Sequence, residues 1–188
     1  ALGQKGLKRL LAYSSVAHAG YIAVAFFGGR QGFEAVLYYL PVYAMATIGA
    51  FSVALLLEKE EKGPLIEDLA GLAKSRPWIA GAMSAFMFSL AGVPPLAGFF
   101  AKFYAFAGAV NGGFTGLVII AIIMSAVSIY YYLKVTVVMY MKPPVNGNNA
   151  ERNGLIETVI FLLAAGVILA GIFSRPLLSL AAEASRWF

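Results

Sequence analysis

The run Ser89–Phe103, SLAGVPPLAGFFAKF, lies inside a stretch otherwise apolar enough to be buried in lipid. It carries two adjacent prolines, Pro94 and Pro95, and then a lysine, Lys102, among phenylalanines. Pro94 lacks the N–H that would bond the Leu90 carbonyl, and Pro95 does the same to Ala91. Gly92 and Gly98 flank the interruption and add backbone freedom. Carbonyls freed in hydrocarbon persist only where protein or water covers them, and discontinuous helices of this kind line ion and proton pathways. A proline kink used only for packing is the plainer reading of the prolines taken alone.

Lys102 shifts that balance. It lies eight residues before Val110, about 12 Å along a helix from the nearer end, too deep for its amine to reach water easily. An ammonium there costs at least about 2.5–3.5 kcal/mol on insertion scales. The nine acidic residues (Glu34, Glu58, Glu60, Glu61, Glu67, Asp68, Glu151, Glu157 and Glu183) all fall in loops or near segment ends. Lys102 is therefore partnered by water, hydroxyls or another chain, or it is neutral part of the time. Burial disfavours the charged form of an amine, so such a group can shed and regain a proton.

Working outward, the composition fits a membrane setting. The 188 residues are 61% hydrophobic and only 12% charged, with a mean hydropathy of +0.80, whereas soluble domains carry about 25% charge. The absence of cysteine excludes disulfides, iron–sulfur ligation and thiolate zinc sites, and a single histidine cannot hold a metal. The net charge of +5 reads as membrane topology and not as nucleic-acid binding, because the basic residues lie between apolar spans. The opening ALGQKGLKRLL has no initiator methionine and no signal-peptide pattern, as in a fragment or a chain missing its N-terminal half.

Five apolar segments, about 10–27, 33–57, 78–110, 114–140 and 155–173, make one all-α membrane domain over 1–188. The third is too long for one straight helix and too short for two crossings, so a single crossing broken at 94–95 fits best. Loop charges agree. One crossing puts Lys5, Lys8, Arg9, Lys59, Lys62, Lys74, Arg76, Lys142 and Arg152 on one side and Arg30, Arg175 and Arg186 on the other. That asymmetry places the N-terminal end in the cytoplasm. PLIEDLAGLAK, with Leu65, Leu69 and Leu72 on one face behind Pro64, predicts a surface helix. KPPVNGNNAERNG reads as a polar loop, and 176–188 as an interfacial amphipathic helix with Ser179, Glu183 and Arg186 on its polar stripe.

Further polar groups sit within the spans. In YSSVAHAGY, Ser14, His18 and Tyr21 share a helix face. Histidine suits proton relay, although a satisfied structural histidine is common on an apolar helix. Tyr43 and Thr47 lie one turn apart on the second segment and favour ordinary helix–helix bonding. Lys134, in IYYYLKVTVVMY, is a snorkelling lysine or a point of proton entry. Glu34 and Glu157 near helix starts suit the dipole. No phosphate-binding loop, HExxH or nucleophile elbow is present.

Taken together in this order and spacing, ALGQKGLKRLLAYSSVAHAGY, DLAGL, SLAGVPPLAGFFAKFYAF and SAVSIYYYLKV resemble the C-terminal part of the subunit N family. These are antiporter-like subunits of NADH-quinone oxidoreductase, respiratory complex I (subunit 2 in mitochondria). KRLLAYSS alone is shared with sister subunits and with multisubunit sodium/proton antiporters. The resemblance implies a fold of fourteen transmembrane helices with two inverted five-helix bundles, of which this chain supplies helices ten to fourteen. It implies that Lys102 is the proton-transferring lysine of the broken twelfth helix and His18 a polar position on the central axis. Lysine at 102 in place of glutamate favours subunit N. Tyr43 stands where some sister subunits have histidine. The family's glutamate and lysine of helices five and seven are not in this stretch, so it does not complete a proton path alone. The implied function is proton translocation coupled to NADH:quinone electron transfer, in a bacterial inner membrane beside other antiporter-like subunits. Flavin, iron–sulfur clusters and quinone are then expected in partner subunits and no cofactor or metal in this chain. A subunit of a multisubunit cation/proton antiporter is the alternative.

Overall fold

The computed structural model describes residues 1–58, 63–144 and 153–187. Lys59, Lys62, Arg152, the centre of the polar loop and the last residue of the tail, all used in the sequence reading, lie outside the described residues. The architecture is all-α: α1 (Leu7–Phe26), α2 (Gly29–Leu56), α3 (Leu72–Ser75), α4 (Pro77–Ala91), α5 (Ala97–Asn111), α6 (Thr115–Met141), α7 (Gly154–Ile172) and α8 (Ser174–Ala184). Short 3-10 turns occupy Ile66–Leu69 and Ser185–Trp187. Among the described residues the only β pairing is an isolated bridge between Gly6 and Leu65.

Helices α2, α6 and α7 are long and apolar enough to cross a membrane on length and composition alone. In α1, Lys8, Arg9, Ser14, Ser15 and His18 dilute the apolar character. Helices α4 and α5 have 15 residues each, about 22 Å apiece, and span only in tandem. Contacts at the two ends show how they run. At one end Leu7 N donates to the Pro64 carbonyl (2.9 Å) and Ile66 N to the Lys5 carbonyl (2.8 Å). Lys8 pairs with Glu58 (2.7 Å) there, and Arg76 with Glu157 (3.5 Å). At the opposite end Asn111 Nδ2 donates to Gln31 Oε1 (2.8 Å), the Phe27 and Phe114 rings meet at 4.7 Å, and Ser185 Oγ donates to Glu34 Oε1 (3.2 Å). Helix α4 begins beside Arg76 and α5 ends at Asn111, so the third segment runs once from one end of the bundle to the other, discontinuously. The chain is an all-α membrane protein, with three helices of spanning length among the described residues and shorter apolar helices beside them.

Helix α2 lies at the centre and packs on α1, α4, α5, α7 and α8. Its buried face alternates small and large residues, with Tyr39, Ala46, Ala50 and Val53 fully inside. That permits close helix approach where lipid supplies no hydrophobic drive.

One surface expectation is corrected. Residues 64–74 do not form a single helix. A 3-10 turn, whose start is fixed by Leu65 N donating to Asp68 Oδ2 (2.7 Å), is separated from α3 by Gly71. Gly71 has φ +72°, and a Cβ there would fall 2.5 Å from Pro144 Cα. Leu69 and Leu72 are buried, but Leu65 points outward, because it precedes the turn in an extended conformation (φ −74°, ψ 154°) and so lies outside the helical register. The tail is helical, and it buries Ser174, Ala181 and Ser185 while Leu180 and Trp187 face out.

Candidate functional site: a lysine at a helix break

Helix α4 stops at Ala91 because Gly92 takes φ +85°. From there the Gly92 N–H donates to the carbonyls of Phe88 and Ser89 (3.0 Å each), and Val93 N to the Phe88 carbonyl (2.9 Å). This is the usual way a left-handed C-cap satisfies terminal carbonyls. Residues 92–96, including a cis Pro94–Pro95 bond, connect to α5. Gly98 lies inside α5, so what it contributes is close approach and not freedom. Its N–H donates to Ser89 Oγ (3.1 Å), and a Cβ in its place would sit 1.8 Å from the Ser89 carbonyl oxygen.

The Ala91 carbonyl is taken by Lys102. Lys102 Nζ donates to Ala91 O (3.0 Å) and to Ser125 Oγ on α6 (2.9 Å). It also lies 5.0 Å from the centre of the Tyr21 ring, within cation–π reach. The residue is 5% exposed. Its position at the C-terminal end of α4 is where a helix dipole favours a cation. Among the described residues, no carboxylate pairs with it; the three ion pairs lie at the helix ends.

His18, 3% exposed, has both ring nitrogens engaged: Nδ1 with Tyr39 Oη (2.8 Å) and Nε2 with Tyr132 Oη (3.1 Å). A neutral imidazole has one donor and one acceptor nitrogen, so one tyrosine accepts and the other donates. The Tyr43 ring stacks on it at 4.8 Å and the Tyr21 ring meets it edge-on at 5.7 Å. Tyr21 thus touches both His18 and Lys102. A small cavity with room for about one water lies between His18, Tyr39 and Tyr43 on one side and Ser89, Gly98 and Ala101 on the other. The break, the histidine and the lysine therefore form one cluster at the meeting of α1, α2, α4, α5 and α6.

Lys134 is not part of it. It is half-buried on α6, and among the described residues no hydrogen bond or ion pair joins it to His18 or Lys102. Thr47 Oγ1 is buried without a partner among them. Glu34 binds Arg30 (3.4 Å) and Ser185, and Glu157 binds Arg76. No group of acidic or histidine side chains among the described residues could hold a metal.

Sequence reasoning missed Ser89, Ser125, Tyr39 and Tyr132. The signal for the serine on α6 was a question already posed: a buried amine without an acid needs hydroxyls, and SAVS supplies two of them three residues apart, on one helical face.

The comparisons with known proteins agree with this fold. Residues 1–128 match the family model described as NADH:quinone oxidoreductase/Mrp antiporter, TM. The chain is 46% identical over 173 residues to NADH-quinone oxidoreductase subunit N 1 of Thermodesulfovibrio yellowstonii, covering 92% of this chain and 37% of that protein. It is 44% identical over 187 residues to subunit N of Trichlorobacter lovleyi, covering 98% and 38%. Among solved structures, a chain of respiratory complex I from Thermus thermophilus with bound aureothin superposes with a TM-score of 0.85 at 35% identity, covering 95% of this chain and 40% of that one. A chain of the Mrp complex from Dietzia sp. DQ12-45-1b superposes with a TM-score of 0.86 at 22% identity, covering 97% and 43%, a likeness of fold. The chain spans about two fifths of the length of the curated relatives it matches. It belongs to the NADH:quinone oxidoreductase/Mrp antiporter membrane family, with subunit N among its relatives.

Proposed function

We propose that the chain is part of a proton-translocating membrane subunit of an NADH-quinone oxidoreductase, coupling NADH:quinone electron transfer in partner subunits to proton movement. The observation that carries this reading is the buried Lys102 amine, held at a helix break by a backbone carbonyl and a hydroxyl, with no carboxylate paired to it among the described residues. A lysine locked to an acid holds its charge; one solvated by neutral acceptors can give up its proton and take it back at lower cost. Lys102 loads and releases the proton, His18 passes protons along the hydrated axis, and Lys134 admits them at the other end of α6. Gly92, Pro94 and Pro95 form the hinge that exposes the Ala91 carbonyl, and Gly98 lets the start of α5 pack closely against Ser89.

The subunit crosses the inner membrane of a bacterium five times in this stretch, at about 10–27, 33–57, 78–110, 114–140 and 155–173, with the N-terminal end cytoplasmic and the tail along the interface. Its partners are neighbouring antiporter-like subunits. The flavin, iron–sulfur clusters and quinone reside elsewhere in the complex, and this chain carries no redox centre. Replacing Lys102→Ala in the assembled enzyme, reconstituted in vesicles, lowers both proton pumping and the linked oxidoreductase activity; full pumping in that variant refutes the assignment. The family model and the likeness to the Mrp chain favour one second reading, a subunit of a multisubunit cation/proton antiporter. Flavin and iron–sulfur absorbance in the purified native complex separates the two.

A further inference from the structure

Tyr21 is 3% exposed, and its hydroxyl is buried with no hydrogen-bond partner among the described residues. An orphaned hydroxyl at membrane depth calls for a reason, most simply a water. Its neighbourhood has the means to hold one. The Tyr21 hydroxyl lies near the hydroxyls of Ser125 and Ser128 on α6. Ser125 Oγ accepts from Lys102 Nζ (2.9 Å), which leaves its own hydrogen to donate. Ser128 Oγ donates to the Ser125 carbonyl (2.6 Å), which leaves its lone pairs to accept. Two donors and two acceptors thus converge, enough for a water with three bonds. Tyr21 and Tyr131 also line the groove between α1 and α6.

We propose that Tyr21, Ser125 and Ser128 hold a water beside Lys102, and that Ser125 is the first proton acceptor of its ammonium. The inference rests on the proton-carrying role given to Lys102 above. The step balances without a co-reactant. One Lys102 N–H bond breaks as a Ser125 O–H bond forms; the former Ser125 hydrogen moves to the water, and a hydrogen of that water moves to Ser128 Oγ. The former Ser128 hydrogen then turns to the Tyr131 hydroxyl, whose own proton passes to a water at the groove. Lys102 ends neutral, Ser125 ends as a hydroxyl, and rotation about its C–O bond resets it. Tyr21 is a positioning residue that keeps the water in register. Further along α6, Ser128 lies near the Tyr131 hydroxyl, and the adjacent Tyr132 meets His18. Hydroxyls therefore extend from the lysine toward the histidine.

The test uses the assembled complex. Ser125→Ala is expected to lower proton pumping about a hundredfold, the low end for losing a positioned proton-transfer group. Ser125→Thr, which keeps the hydroxyl, restores most of it; a purely packing role for Ser125 would not be rescued by the bulkier residue. A high-resolution map of the unmodified complex is expected to show a water within hydrogen-bonding distance of Tyr21 Oη, and Tyr21→Phe to lose it. Pumping at the parent rate in Ser125→Ala overturns the inference, as does an empty site at Tyr21 Oη in a map that resolves other buried waters. If those results come while Lys102→Ala still abolishes pumping, the lysine's role stands and only the hydroxyl path falls.

Discussion

Replacing Gly98→Ala tests whether the lysine depends on the break. A Cβ at this position would sit 1.8 Å from the Ser89 carbonyl oxygen and 2.6 Å from its carbon. Both are backbone atoms and cannot swing aside. Reaching ordinary contact, 3.4 Å or more, requires the end of α4 and the start of α5 to separate by about 1.6 Å. Lys102 lies one turn after Gly98, and Ala91 two residues after Ser89. The 3.0 Å bond from Lys102 Nζ to the Ala91 carbonyl crosses the same joint and stretches beyond hydrogen-bond range. The Gly98 N–H to Ser89 Oγ bond opens with it. Overpacking of this kind costs about 1–3 kcal/mol, and a shift of more than about 1 Å at a reacting group can lower its rate about a hundredfold. The assay is NADH-driven proton uptake by vesicles containing the reconstituted complex, read beside its thermal midpoint. Gly98→Ala is expected to assemble with a lower midpoint and to pump about a hundredfold more slowly, although it removes no polar side chain. Normal pumping with the break unmoved would refute the idea that the approach of Ser89 to α5 sets the position of Lys102.

Two further outcomes concern stability at the N-terminal end of the bundle. Gly71→Ala must place a side chain at φ +72° against Pro144. It should cost at least about 1–2 kcal/mol, seen as a lower thermal midpoint; an unchanged midpoint contradicts the assigned backbone. Glu58→Gln removes a half-exposed ion pair with Lys8 (2.7 Å) and should cost less than about 1 kcal/mol, a difference that shrinks as salt is raised. A large, salt-independent loss would mean that the pair is more deeply desolvated than its exposure indicates.

Much of this was legible in the residues. Apolar runs marked the helices, and the double proline with Gly92 marked the break, because a missing N–H and a left-handed cap are properties of single residues. The depth of Lys102 followed from counting residues to the helix end. What could not be read was the company each group keeps. Ser125 is 23 residues from Lys102 and Tyr132 is 114 from His18, and no local periodicity encodes which helix faces which. The surface helix expected over 64–74 failed for a related reason: leucines at helical spacing hid a glycine whose conformation answers to Pro144, more than seventy residues away.

The break and the lysine explain each other. A spanning helix that stops in mid-membrane leaves carbonyls that lipid cannot satisfy, and an amine in mid-membrane needs acceptors that lipid cannot offer. Placing Lys102 on the half-helix after the break, within reach of the Ala91 carbonyl before it, meets both needs with one bond. That bond is strongest when the amine is charged, so the joint between α4 and α5 responds to whether Lys102 carries a proton. His18 works under a different constraint. With Nδ1 held by Tyr39 and Nε2 by Tyr132, a proton that enters at one nitrogen and leaves from the other converts the ring to its other tautomer. A second proton cannot follow in the same direction until the ring is reset, and no rotation of the tyrosine hydroxyls achieves that. Passage of successive protons through His18 therefore requires the imidazole to leave its clamp in each cycle. On the proposed path, Lys102 would act repeatedly by hydroxyl rotation alone, whereas His18 would act only if the packing of α1 against α2 and α6 opened.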